Sequence, residues 1–138
     1  MVTSLYAGLL AFLLLSLSII VIKGRRQEQT ALGSGDSRML EQRIRAQANL
    51  AEYTPVVLIL LFAAETQGIS VFFIHIIGIL FFTGRVVHAY ALISFEKYDG
   101  KKLITSTKYR KIGMVCTFLS LAISATANII IYAYKILQ

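Results

Sequence analysis

Cysteine, proline and tryptophan are scarce in this sequence, whose 138 residues contain one Cys, one Pro and no Trp. Because the single thiol, Cys116, has no partner within the chain, a scaffold held by internal disulfides is excluded. Charged residues are also few, at 15% against about 25% in soluble domains. With 57% hydrophobic residues, the composition argues against a soluble globular protein and against a disordered tail. The rarity of proline is compatible with long, uninterrupted helices.

Long apolar segments dominate what is present. A membrane-spanning helix needs about 20 apolar residues, and three segments without Asp, Glu, Lys or Arg qualify: 1–22, 66–84 and 112–134. The first lacks the basic start of a secretion signal, so we expect it to be retained as a helix. The third span is expected to continue as helix to about residue 95.

A fourth span is predicted over 39–64, although its first half is polar. It contains four charged residues, Glu41, Arg43, Arg45 and Glu52. Such groups are tolerated at membrane depth only where they face protein or a water-filled cavity. We therefore predict an all-α integral membrane protein, a four-transmembrane-helix bundle in a single domain, residues 1–138. The predicted spans are about 2–22, 39–64, 67–95 and 108–135.

Basic residues outnumber acidic ones by 14 to 7, and their positions follow the predicted loops. Twelve of the 14 lie in the two long connections or in the first two turns of the spans that follow them; only Arg85 and Lys135 lie elsewhere. Because Lys and Arg accumulate in cytoplasmic loops, both long loops are predicted to be cytoplasmic and both termini outside. Basic residues at a membrane border, without a matching fold motif, exclude nucleic-acid binding.

The second helix carries a polar stripe. The residues on one helical face, or directly beside it, are Arg38, Glu41, Gln42, Arg45, Asn49, Glu52 and Tyr53. Each central charge costs roughly 2.5–3.5 kcal/mol to insert without a partner. Two interpretations remain open: an ion pair of Glu52 with Arg45 or Arg85 that holds the bundle together, or a site for a zwitterionic polar ligand. The mixture of donors, acceptors and both charge signs favours the ligand.

Helices three and four add further candidates. Arg85 and His88 lie one turn apart on one face, whereas His75 is alone in an apolar segment and is interpreted as a satisfied polar group with a structural role. No second metal ligand accompanies His88 at helical spacing, which argues against a metal site. Arg110 stands at the start of helix four, where the helix dipole adds positive potential. It is therefore a candidate for holding a thiolate or another anion.

Other patterns concern local structure and packing. Asp36 or Ser37 is predicted to cap helix two. Asp99-Gly100 indicates a turn in the third loop. A seam of small and polar residues at four-residue spacing on helix four predicts a helix-packing face; its members are Ser120, Ser124 and Asn128.

Three motifs occur in order along the chain. They are Arg45 to Pro55, with the spacing Arg-x-x-x-Asn-x-x-Glu-Tyr-x-Pro, then Gly84-Arg85-Val86-Val87-His88-Ala89-Tyr90, then Arg110-Lys111-Ile112-Gly113-Met114. Together they resemble the MAPEG family, the membrane-associated proteins in eicosanoid and glutathione metabolism, and the third resembles bacterial-type members. The resemblance covers essentially the whole chain.

The resemblance implies a homotrimer that binds glutathione as co-substrate between neighbouring subunits, near the cytoplasmic side. By motif position, Arg110 is the catalytic residue that stabilises the glutathione thiolate. The residues implied to grip glutathione are Arg45, Asn49, Glu52 and Tyr53, and His88 matches the polar position of the third helix. Arg25 or Arg26 is implied to line the entry of the second substrate, a hydrophobic electrophile that arrives from the lipid bilayer.

The chain also departs from known members of the family. Prostaglandin E synthase-like members have a serine where Lys111 follows Arg110, and a tyrosine where this chain has Leu92; the loop 96–107 is longer than in the leukotriene-forming synthase. These departures favour a general membrane-bound glutathione transferase, with or without peroxidase activity, in a bacterial inner membrane or an endoplasmic-reticulum-type membrane. The alternative is a non-catalytic membrane assembly protein whose polar stripe only packs the oligomer. A transporter is less favoured, because internal repeats and broken helices are lacking.

Overall fold

Four long helices form the protein. The structure, a computed structural model, describes residues 1–99 and 102–137. Within them lie α1 (Thr3–Gln27), α2 (Arg38–Thr66), α3 (Val71–Tyr90) and α4 (Lys108–Ile136). Each of the four, α3 together with the turn that continues it, is long and apolar enough to cross a membrane. The prediction of an all-α, four-helix membrane fold is confirmed.

The third span is not a uniform α-helix. It begins only at Val71, and a five-residue π-helical turn, Ala91–Phe95, continues it to the predicted end. The backbone N–H of Glu96 closes this turn by donating to the Ala91 carbonyl oxygen at 2.8 Å. Nothing in the hydropathy pattern distinguishes this turn from α-helix, because both conformations keep the same apolar residues within the span.

Two short strands follow the π-helical turn. Strand β1 (Tyr98–Asp99) pairs antiparallel with β2 (Lys102–Leu103), with Tyr98 opposite Leu103. The sequence predicted a turn at Asp99-Gly100 but no strands; Gly100 itself lies outside the described residues. The β1–β2 pair brings the chain back to the start of α4.

Helix α2 is central and packs against the other three helices. Its side chains Val57 and Leu61 meet Leu10 and Phe81 in the buried core. The outward-facing side chains are also large and apolar, as in Phe12, which suits a lipid environment. Among the described residues α1 makes no contact with α4, so the bundle is open on that side.

Helices α3 and α4 cross at two glycines. A Cβ atom on Gly113 would lie 2.7 Å from the Gly84 carbonyl oxygen and 2.7 Å from His88 Cβ. Only glycine permits this approach. The contact brings Arg85 and His88 against the first half of α4.

The predicted caps and packing faces are confirmed. The Ser37 hydroxyl accepts a hydrogen bond from the Leu40 N–H at 3.3 Å and caps α2. Ser120 and Ser124 are buried, and Asn128 Nδ2 donates to the Leu60 carbonyl oxygen of α2 at 2.9 Å. His75 has the expected structural role, because its Nδ1 lies 2.9 Å from the Tyr6 hydroxyl of α1.

Candidate active site

A polar cavity of about 330 Å³ lies at the end of the bundle that carries the two long connections. Its walls come from the first half of α2, the end of α3 with its π-helical turn, strand β1 and the first turn of α4. The lining residues are Arg38, Glu41, Gln42, Arg45, Asn49, His88, Leu92, Tyr98 and Arg110. Three guanidinium groups face one carboxylate in this set, so the cavity suits an anionic ligand.

The polar stripe of α2 forms one wall of the cavity. Arg38, Glu41, Arg45 and Asn49 recur at three- and four-residue spacing and therefore share a face. Arg38 donates to the Glu41 carboxylate at 2.9 Å, and both side chains are exposed, so the pair adds little stability. The guanidinium of Arg38 also lies 4.5 Å from the centre of the Tyr98 ring, which ties α2 to strand β1.

Arg85 forms a buried polar link between three helices. It is 2% exposed; its Nη1 donates to Asn49 Oδ1 on α2, and its Nη2 donates to the Gly113 carbonyl oxygen on α4 at 3.2 Å. A buried charge without such partners is strongly destabilising. The Asn49 side-chain oxygen therefore already accepts one hydrogen bond within the chain, and its NH₂ group remains for a ligand.

Arg110 reaches the same cavity from the first turn of α4. Its Nε lies 3.2 Å from Oε1 of Glu96, a carboxylate whose side chain is fully buried. His88, buried on α3, lines the cavity from a different helix. The structure thus brings together four of the predicted site residues: Arg45, Asn49, His88 and Arg110.

Glu96 is a site residue that the sequence reasoning missed. It belongs to none of the three motifs, because it lies in the loop between the third and fourth spans. The one available signal is an acidic residue directly after a span, in a connection that is otherwise rich in lysine. Its contact with Arg110 depends on the π-helical turn, which the sequence pattern does not predict.

The comparisons with known proteins agree with the three motifs. The profile of the MAPEG family matches residues 3–130. The chain belongs to the MAPEG family. It is 33% identical over 129 residues to inner membrane protein YecN of Escherichia coli strain K12, an alignment that covers 94% of this chain and 91% of YecN. YecN of Escherichia coli O6:H1 strain CFT073 matches with the same identity and coverage.

This MAPEG protein is accordingly a membrane protein of the glutathione and eicosanoid metabolism family. Membership of the family whose motifs served to predict the site residues is confirmed. Their individual binding roles stay predictions.

Four of the predicted residues do not line the cavity within one MAPEG chain. Tyr53 packs instead between helices, with its ring centre 6.0 Å from that of Phe118. Glu52 lies exposed on the outer surface of α2. Arg25 donates to the Ala31 carbonyl oxygen at 2.5 Å, and Arg26 is exposed. The two arginines lie in the last turn of α1, which makes no contact with α4 in the described part of the chain.

The ion pairs that the sequence left open for Glu52 are not formed. Among the described residues, Glu52 pairs with neither Arg45 nor Arg85, and the ion pairs present are Arg38–Glu41 and Arg110–Glu96. The terminal nitrogens of Arg85 donate instead to Asn49 and to a backbone carbonyl oxygen, and neither partner is a carboxylate.

Proposed function

We propose that this protein is a membrane-bound glutathione transferase that conjugates glutathione to hydrophobic electrophiles. The observation that carries the proposal is the convergence of Arg45, His88 and Arg110 on one cationic cavity. Glutathione has two carboxylates, one ammonium group and one thiol. Excess guanidinium charge with a single lining carboxylate complements that pattern. The cavity volume, about 330 Å³, falls at the lower end of the usual range for small-molecule sites.

Arg110 is the group assigned to the reacting sulfur. The positive end of the α4 dipole adds to its own charge, and both favour a thiolate over a thiol. The thiolate attacks an electrophilic carbon, a C–S bond forms, and the leaving group departs with the bonding electron pair. The thiol proton passes to solvent in the open cavity. Apolar electrophiles reach the site from the bilayer, which explains the use of a membrane protein for detoxification.

A homotrimer is proposed to complete the site. Glu52 lies near the middle of α2 and is exposed in the single chain, and a charge facing lipid at that depth is costly. A neighbouring subunit that covers this face removes the penalty. The same neighbour supplies the end of its α1, with Arg25 and Arg26, to the side that α1 of the same chain leaves open. The number of subunits is taken from the family resemblance.

The cavity is proposed to face the cytoplasm, where glutathione is abundant. Twelve of the 14 basic residues lie around the connections at the cavity end, which supports this orientation. YecN is named as an inner membrane protein, which supports a bacterial inner membrane. Labelling of single cysteines, Leu32→Cys and Thr66→Cys in a Cys116→Ser background, tests the orientation: only Thr66→Cys is expected to react with an impermeant maleimide added outside.

The first prediction concerns Arg110. Purified oligomer in detergent is mixed with glutathione and 1-chloro-2,4-dinitrobenzene, and the thioether product is followed by absorbance. We expect glutathione-dependent turnover that Arg110→Ala lowers by roughly 100-fold, since one charge-stabilising group contributes about that much. Lys108→Ala, two residues earlier on α4 and outside the cavity, is the matched control and should retain its rate.

Size-exclusion chromatography checks that the Arg110→Ala oligomer remains intact. Arg110→Lys keeps the charge but not the planar guanidinium, so its turnover should lie between those of the wild type and Arg110→Ala. Unchanged turnover in Arg110→Ala would remove this residue from the mechanism.

A second candidate, a non-catalytic assembly protein, is favoured by one observation. Arg85 links α2, α3 and α4 through Asn49 and Gly113, so part of the polar stripe contributes to packing. Under this alternative the wild-type oligomer has no affinity for glutathione, and Glu52→Ala dissociates it. Glutathione-dependent turnover in the wild type excludes this alternative.

A further inference from the structure

Glu96 is a fully buried carboxylate in contact with the predicted catalytic arginine. Its side chain is 0% exposed, and Oε1 lies 3.2 Å from Arg110 Nε, outside hydrogen-bond geometry. Oε2 accepts a hydrogen bond from the Tyr98 hydroxyl at 3.1 Å. No described group donates a hydrogen bond to Oε1. A buried carboxylate is costly unless it is paired, so a stable fold requires the Arg110 contact or an equivalent one.

The backbone on both sides of Glu96 is held by three further contacts. Gln42 Nε2 donates to the Glu96 carbonyl oxygen at 3.1 Å. The Thr105 hydroxyl donates to the Phe95 carbonyl oxygen at 3.2 Å and accepts from the Lys97 N–H at 3.0 Å. The π-helical turn ends at this point, and such turns are frequent at functional sites. The position of the carboxylate is therefore defined by its surroundings, not by Arg110 alone.

The contact uses only one edge of the arginine. Arg110 approaches Glu96 through Nε, and its two terminal nitrogens make no hydrogen bond with any described group. The side chain is 38% exposed and lines the cavity. A guanidinium that served only as a structural partner would favour a bidentate pair through its terminal nitrogens. Here those nitrogens remain for a ligand.

We propose that Glu96 is the positioning residue of Arg110: it holds the guanidinium by Nε, so that the terminal nitrogens face the cavity where an anionic sulfur is bound. The inference rests on the proposed function for the identity of that anion. Glu96 does not touch the substrate; it acts through Arg110. Tyr98 and Gln42 support it by fixing the carboxylate and its backbone.

Two substitutions that both remove the charge of Glu96 separate an effect on the position of Arg110 from an effect on electrostatics. Glu96→Gln removes the negative charge but keeps the length of the side chain and an oxygen beside Arg110. Glu96→Ala removes both. Glu28→Gln, at an exposed glutamate of the first connection, is the matched control for a lost carboxylate at the same end of the bundle.

Steady-state kinetics with glutathione and 1-chloro-2,4-dinitrobenzene provide the first measurement. Glu96→Ala should lower kcat by roughly ten- to 100-fold relative to Glu96→Gln, because a small misplacement of a catalytic group has effects of that size. The KM for glutathione should change little, since other residues grip the tripeptide. Glu28→Gln should behave like the wild type.

A second measurement needs no glutathione. Phenylglyoxal reacts with guanidinium groups, and peptide mass spectrometry reports its rate at Arg110. We expect faster modification in Glu96→Ala than in Glu96→Gln, because the released side chain becomes more accessible. Equal kcat and equal modification in the two variants would overturn the proposal.

The remaining outcomes are also decisive. If the wild type shows no glutathione-dependent turnover, the proposed function fails, and the modification rates alone decide whether Glu96 positions Arg110. If Glu96→Ala does not assemble, Glu96→Asp replaces it, because it keeps the buried carboxylate but shortens the side chain and so withdraws the carboxylate from Arg110. Wild-type kcat and wild-type modification in Glu96→Asp would then overturn the proposal.

Discussion

At the scale of single residues, two arginines on neighbouring helices have different tasks. Arg85 and Arg110 both lie at helix positions facing the bundle, but both terminal nitrogens of Arg85 donate hydrogen bonds, to Asn49 and to the Gly113 carbonyl oxygen. Arg110 is held at one edge and open to the cavity at the other. The engagement of the terminal nitrogens, not depth alone, separates a structural charge from a candidate catalytic one.

The role of Arg85 leads to a stability prediction. Asn49→Ala removes the side-chain acceptor of a buried guanidinium, and a hydrogen bond to a charged group contributes about 1.5–3 kcal/mol. We expect the free energy of unfolding in detergent to fall by about 2 kcal/mol. Asn49→Asp keeps the acceptor and should retain most of the stability. Denaturant unfolding monitored by circular dichroism measures the stability of both variants. Wild-type stability in Asn49→Ala would show that the Arg85–Asn49 hydrogen bond does not contribute to the free energy of unfolding.

Helical periodicity accounts for part of the site at this scale. It places Arg45 and Asn49 on one face of α2, and the motifs single out His88 and Arg110. It does not reveal that Asn49 Oδ1 is already occupied, because that depends on the rotamer of Arg85 from another helix. Nor does it find Glu96, which reaches Arg110 only through tertiary structure.

At the scale of elements, the site depends on how α3 and α4 meet. The close crossing at Gly84 and Gly113 sets the distance between His88 and the first turns of α4. The π-helical turn and the β1–β2 pair then return the chain so that Glu96 lies beside Arg110. Hydropathy predicts the four helices because their apolar runs are long. It does not predict the π-helical turn or the short strands, which involve only a few residues each.

The crossing predicts that Gly113→Ala is disruptive. Its new Cβ would lie 2.7 Å from the Gly84 carbonyl oxygen and from His88 Cβ, so the helices must separate. Overpacking of this kind lowers stability by about 1–3 kcal/mol, and conjugation should fall because His88 and Arg110 move apart. Gly8→Ala is the control, because nothing lies within 4 Å of its added Cβ. Equal melting temperatures for the two variants would refute the account of the crossing.

At the scale of the whole molecule, one chain brings together only part of the predicted set of site residues. The cavity is shared by Arg45, Asn49, His88 and Arg110. Glu52 lies on the outer surface. Arg25 and Arg26 lie in the last turn of α1, which makes no contact with α4 in the described residues. The sequence predicts the membrane class and the family. It does not predict the number of subunits, since nothing in the periodicity of the apolar faces specifies one.

The central claim is that this cavity binds glutathione with its sulfur as a thiolate stabilised by Arg110. The most direct test is ultraviolet difference absorbance on titrating glutathione into the purified wild-type oligomer at neutral pH. The account predicts a saturable thiolate band that S-methylglutathione does not produce and that Arg110→Ala strongly reduces. A wild-type oligomer that gives no thiolate band at saturating glutathione, or an equal band in Arg110→Ala, would contradict it.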